Sequence, residues 1–139
     1  MPGATNPQTI TKSCVATVVI PARRVVVYDT TTRGLVKLPA GTPEKTVCGV
    51  TRESSAKSGC VAVAVAGIAI VESDGSAVIN PGDALIAVGT SGKVKTQAIA
   101  AGSAAVYNIV GICNNDAQVP ATDGALVSVE LNPALTVAA

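Results

Sequence analysis

Apolar and polar positions alternate along most of the chain, in short runs broken by glycine, proline and polar turns. The clearest run is Cys60 to Val71. Val61, Val63 and Val65 alternate with Ala62, Ala64 and Ala66, the period of a strand. The Val face predicts a core side. The Ala face invites a close neighbour, either another sheet or another subunit. Gly67 marks a kink or bulge, and Ile68 to Glu72 continue the strand. Further strands are expected near 14–20, 24–28, 34–38, 47–51, 77–80, 84–88, 92–97, 109–113 and 125–131. Ser73-Asp74-Gly75-Ser76 and Gly89-Thr90-Ser91-Gly92 read as hairpin turns, and Asp29 to Gly34 as a third turn. Ala98 to Val106 is Ala-rich and could form one short helix, weakened by Gly102, and the polar, turn-like Arg52 to Gly59 could carry a brief helical turn. Asn114 to Gly124 is a long polar loop holding Pro120, a place to present a contact surface.

The pattern is written twice. Val19 to Val27 reads against Ile79 to Ala87, with Pro21 opposite Pro81. Gly34 answers Gly92, and Val47-Cys48-Gly49-Val50 answers Ile109-Val110-Gly111-Ile112. Gly59 and Gly124 each lead a closing strand. The expected fold is therefore all-β: one small closed or sandwiched, barrel-like body built from two similar halves, with at most one short helix. The body spans 14–131. Residues 1–13 are expected as an extended N-terminal arm, either a disordered tail or a segment that orders on a partner, and 132–139 as a C-terminal tail beyond the sheet, with Pro133 ending the pairing.

Composition changes this picture in one respect. The chain of 139 residues has no Trp, Phe or His, and Tyr28 and Tyr107 are its aromatics. Ala and Val side chains bury little area each, so a partner copy is expected to cover more surface. A net charge of +1 with 14% charged residues offers little field for nucleic acid or anionic lipid. Arg23-Arg24 and Lys93/Lys95 fit solvation or a few interface ion pairs. The N-terminal stretch has no apolar h-region, and the run ending at Val71 is too short for a membrane helix. Cys14, Cys48, Cys60 and Cys113 lack metal-ligand spacing and are expected as reduced, buried small hydrophobes.

Catalytic chemistry has no foothold in the sequence. Asp29, Asp74, Asp116 and Asp123 occupy turns or loops, and Asp83 follows Pro81-Gly82 as a turn residue. Glu72 and Glu130 end strands and suit an ion pair across an interface. Ser91 lacks both a nucleophile motif and a His partner. No phosphate-binding glycine motif occurs. Tyr28 and Tyr107 fit edge-of-core packing, or an interface, better than ligand stacking. No catalytic, cofactor-binding or metal residue is assigned, and no cofactor is expected.

These segments together give the chain a family likeness. Val47 to Val50, Gly59 to Ala69, Asn80-Pro81-Gly82-Asp83-Ala84-Leu85, Gly92-Lys93-Val94, Ile109 to Ile112 and Gly124 to Leu131 resemble the decoration, or cement, proteins of tailed-bacteriophage heads, in particular those of the β-tulip type. The resemblance implies a homotrimer made in the bacterial host cytoplasm. It would bind the outer capsid surface of the virion, bridge major capsid protein subunits and stabilise the mature head. It also implies that Pro2 to Lys12 form an arm toward the shell or a neighbour. A carbohydrate- or host-surface-binding β module on the virion is the alternative. It would gather Tyr28 or Tyr107 with Asn114, Asn115 and Asp116 in an open groove. A third alternative, an enzyme, would need a deep polar cleft with convergent carboxylates.

Overall fold

The structure is a computed structural model that describes residues 9–29, 34–40, 46–97 and 106–137, with 106–108 and 132–137 described by backbone alone. The described residues are all-β and contain no helix. The strands are β1 (Ile10–Ala16), β2 (Val25–Tyr28), β3 (Leu35–Lys37), β4 (Val47–Thr51), β5 (Cys60–Glu72), β6 (Ala84–Ala87), β7 (Val94–Thr96), β8 (Val106–Cys113) and β9 (Leu126–Val137). They pair in the order β1-β3-β2-β4-β5-β9-β8-β6-β7, and β1 also pairs with β5. That extra pairing closes the first five strands into a small barrel.

The second half repeats the first strand by strand. Val25 pairs with Val50 as Ala84 pairs with Ile112, and Val26 faces Gly49 as Leu85 faces Gly111. Val27 meets Lys37 as Ile86 meets Lys95. Cys14 meets Val61 as Val71 meets Val127. The parallel contact of Ala16 with Val36 recurs as a bridge between Ser73 and Val94, which closes the second ring. β5 thus serves twice. Its first half closes the first barrel, and its second half takes the place in the second barrel that β1 holds in the first.

This register corrects the repeat as read from sequence. Ile20 corresponds to Ile79, because each bridges its own loop, to Ser55 and to Val119. Pro21 therefore falls opposite Asn80, one position away from Pro81. Prolines mark turns but make no ladder bond, whereas the buried isoleucines are held by packing. Likewise Gly124 (φ 85°) corresponds to Ser58 (φ 67°), one position before Gly59, and Gly82 (φ 88°) corresponds to Arg23 (φ 61°).

Other expectations shift too. Ile10 to Ser13, read as the end of an arm, already belong to β1 and pair with β5. Residues 1–8 of that arm lie outside the described residues. The expected strand at 77–80 reduces to the single bridge at Ile79. Ser73 to Ser76 turn the chain without making a hairpin: the end of β5 pairs with β9, and Ser73 bridges Val94. β9 runs through Pro133 to Val137, since the ladder to β8 slips between the Ile109–Ala134 and Gly111–Leu131 pairs, where a proline removes no needed donor. The possible helix at 98–106 lies outside the described residues up to 105, and Val106 opens β8.

Each barrel has its own core. Cys14, Ala16, Ile20, Val26, Val36, Cys48, Val61 and Val63 fill the first. The corresponding Val71, Ile79, Leu85, Val94, Val110, Val127 and Val129 fill the second, and the buried Ser73 stands where the first has Ala16. Val25, Val47, Val50 and Ala64 come from the first barrel but belong to the second cluster, so the barrels pack directly on one another. Cys14, Cys48 and Cys113 are buried and free, as expected, whereas Cys60 is free but exposed at the end of β5.

Candidate functional site

Two surfaces stand out: the junction between the barrels, and the outward loops beside each. At the junction the Arg24 guanidinium donates from Nη1 to the Ser91 carbonyl at 3.0 Å and from Nη2 to Glu72 Oε1 at 3.2 Å. Their side chains are 17% and 22% exposed, so this is a partly buried, charge-assisted pair. The Val25 amide donates to the Gly92 carbonyl at 2.6 Å, and the Glu72 amide to the Arg23 carbonyl at 3.1 Å. Gly92 has φ 74°, and a Cβ there would stand 2.7 Å from the Val25 carbonyl oxygen. Backbone therefore touches backbone across the junction. The Thr51 hydroxyl donates to the Pro21 carbonyl at 2.9 Å and accepts the Arg24 amide at 3.1 Å, which holds the loop that carries Arg24.

Beside this junction lies an open cleft of about 240 Å³, lined by Thr9, Arg23, Thr51, Arg52, Ala64 and Ala69 among others. It brings two arginines together and no carboxylate. Three of the aspartates are held by their own turns or by a neighbouring loop. Asp74 Oδ1 accepts the Ser76 amide and hydroxyl at 2.9 and 2.8 Å. Asp83 Oδ2 accepts the Asn80 amide at 2.8 Å and the Thr96 hydroxyl at 3.3 Å. Asp123 takes Lys93 Nζ at 2.6 Å, and that hydrogen bond and charge hold its carboxyl below the usual range. Asp116 and Glu130 are exposed. No group of three or more metal-ligating side chains occurs among the described residues.

Tyr28 is 41% exposed at the end of β2, with Lys12 Nζ 5.3 Å from its ring centroid. The Cys48 thiol beside it pushes the phenol pKa up, and burial pushes the thiol up as well. Asn115 stands on the other barrel and is occupied internally: its Oδ1 accepts the Ser128 amide at 2.6 Å. The side chain of Tyr107 lies outside the described residues.

The fold has a counterpart. The chain is similar to the N base of head fiber gp8.5 in bacteriophage phi29, with a TM-score of 0.59 and 16% sequence identity over 90% of this chain and 95% of that one. At that identity the likeness shows a shared fold. No family model matches the chain, and no curated protein does. The likeness spans both barrels, so the tandem arrangement as a whole has a precedent in that head fiber base.

The long loop is built as a firm projection. Ile79 and Val119 exchange two backbone bonds at 3.1 and 2.8 Å, and Gln118 Nε2 donates to Asn80 Oδ1 at 2.7 Å. The shorter loop of the first half is pinned in the same way, by Ile20 and Ser55 at 2.9 and 2.8 Å. Next to each pin an apolar side chain faces solvent: Val19, 67% exposed, and its counterpart Val78, 42% exposed. Alternation hid this pair, because an exposed valine beside a buried isoleucine reads as part of a strand.

Proposed function

We propose that the chain is a structural component of a tailed-phage virion that binds the outer capsid surface as a homotrimer and bridges major capsid protein subunits. The observation that carries this reading is the fold, shared over nearly the whole chain with the base of a phage head fiber. The physical character of the chain supports it. Two closed barrels joined by direct packing and an ion pair make a stiff body. Each barrel offers the same outward feature, a pinned polar loop with an exposed valine, so one chain has two similar contact points and a trimer has six. We assign these points to the capsid. Weak contacts linked in one rigid body bind far better than singly, provided that the geometry lets them engage together. The reading involves no catalytic step, no cofactor, and neither nucleic acid nor membrane as a partner. The test is a mass by light scattering and co-sedimentation with the expanded capsids of its phage. A particle near 41 kDa (three times 13.7 kDa) that pellets with capsids supports the reading. A monomer that stays in the supernatant overturns it.

A further inference from the structure

We infer that the chains of this trimer join head to tail, the second barrel of one seated on the first barrel of the next as the two barrels are seated within a chain. The inference rests on the trimer reading above and adds the faces that meet.

The internal junction has two sides. The first barrel contributes Val25, Val50 and Ala64, all fully buried. Their counterparts on the second barrel are Ala84, Ile112 and Glu130, and none of them is buried within the chain. The other side of the junction contributes Ala69, Ala87 and Gly92 from the second barrel, all buried. Their counterparts on the first barrel are Lys12, Tyr28 and Gly34, all exposed. The contrast is sharpest at the glycines. A Cβ on Gly92 would press on Val25, whereas one on Gly34, at a similar φ of 82°, would meet nothing within 4 Å. The chain therefore repeats both halves of a working interface and leaves one unmatched copy of each at its two ends.

What differs between the copies is charge, and the difference is complementary. Ala64 and Ala69 line the same cleft at the internal junction. Their counterparts are Glu130 and Lys12, both exposed. Seating one chain on the next by the same geometry brings this carboxylate and ammonium into one cleft, with Tyr28 beside the ammonium as an aromatic anchor. Strand paths leave room for it. β5 pairs with β4 at Val50–Ala64 and Thr51–Val63, and its second half goes on to pair with β9. β9 instead stays on β8 to its end, pairing Val106 with Val137. Among the described residues no strand stands in the first-strand place beside the second barrel's outer side, where β1 of another chain would lie. An interface of this head-to-tail type closes a ring when its rotation permits, and three chains then present six barrels.

The experiment is charge reversal read as mass. Glu130→Lys and Lys12→Glu each place like charges in every interface, and each is expected to lower the mass from about 41 kDa toward 13.7 kDa. The double variant restores an opposite pair in every interface and is expected to return the mass to the trimer. Circular dichroism and thermal melting confirm that each variant is folded; Ala84→Arg, a substitution at a half-buried position on the same face, gives an independent disruption. If the wild type is a trimer and the reversals leave it one, or if the double variant fails to recover, the head-to-tail arrangement is overturned and the trimer stands. A monomeric wild type overturns the trimer reading itself.

Discussion

At the scale of single residues, the repeat shows which positions are held by sterics. Gly49 and Gly111 lie in ordinary strand conformation, yet a Cβ on either would collide with a backbone carbonyl, of Ala64 or of Glu130. Backbone cannot yield as a side-chain end can. Gly49→Ala and Gly111→Ala are each expected to destabilise the fold by about 1–3 kcal/mol, measured by urea denaturation. The thiols differ by burial in the same way. A maleimide is expected to label Cys60 in the native protein within minutes and the other three cysteines only after denaturation, with mass spectrometry as the readout. The surface pair of Lys93 and Asp123 predicts a pH effect of defined sign. Its folded carboxyl pKa lies below the unfolded one. The stabilisation is therefore fully present above the ordinary carboxylate range and fades as pH falls through the lowered value. Asp123→Asn is expected to flatten that part of the acid-denaturation profile, and the parent's advantage is gone only once the pH lies below the lowered value. The effect is small, because the carboxylate is solvent-exposed.

At the scale of elements, β5 is the strand on which both barrels depend. Its alternation was plain in sequence. Val61 and Val63 do fill a core, and Ala64 does meet a close neighbour, which proves to be the second barrel of the same chain. Its double role was not legible, because a strand that changes partners halfway has the same period throughout. The repeat was legible in outline and misplaced by one residue at Pro21 and Gly59. Those residues report turn chemistry, which can slide along a loop, while Ile20 and Ile79 report packing, which cannot. Asp74, Asp83 and Asp123 were readable as turn or loop residues because their partners are close in sequence or on an adjacent loop. The pairing of Arg24 with Glu72 was readable only as an ion pair of unknown place, since the two lie far apart in the chain and meet through the crossing of β5. Arg24→Ala leaves the Glu72 carboxylate and the Ser91 carbonyl without this donor. With water partly able to replace it, the expected loss is about 1–2 kcal/mol. The same change is expected to raise hydrogen exchange at the Val25 amide, which lies next to it and bonds to Gly92 across the junction.

At the scale of the whole molecule, affinity turns on the number of contacts. If the pinned loops and exposed valines are the capsid-facing points, the two barrels of a chain make equivalent contacts, and neither contact alone has to be strong. Val19→Asp and Val78→Asp each replace one apolar contact by a charge that must be desolvated on docking. Either substitution removes three of the six points in a trimer and is expected to weaken capsid co-sedimentation by roughly one to two orders of magnitude, because linked contacts multiply. The double variant removes all six and is expected to abolish binding, while its mass stays that of the parent, since neither valine is part of the unmatched junction faces. That separation is the decisive feature. A protein that bound through its barrel ends would lose assembly and capsid affinity together under end-face substitutions and would be indifferent to Val19 and Val78. A protein that assembles through its ends and binds through its loops loses them independently, and full retention of capsid binding in the Val19/Val78 double variant would move the contact surface elsewhere on the body.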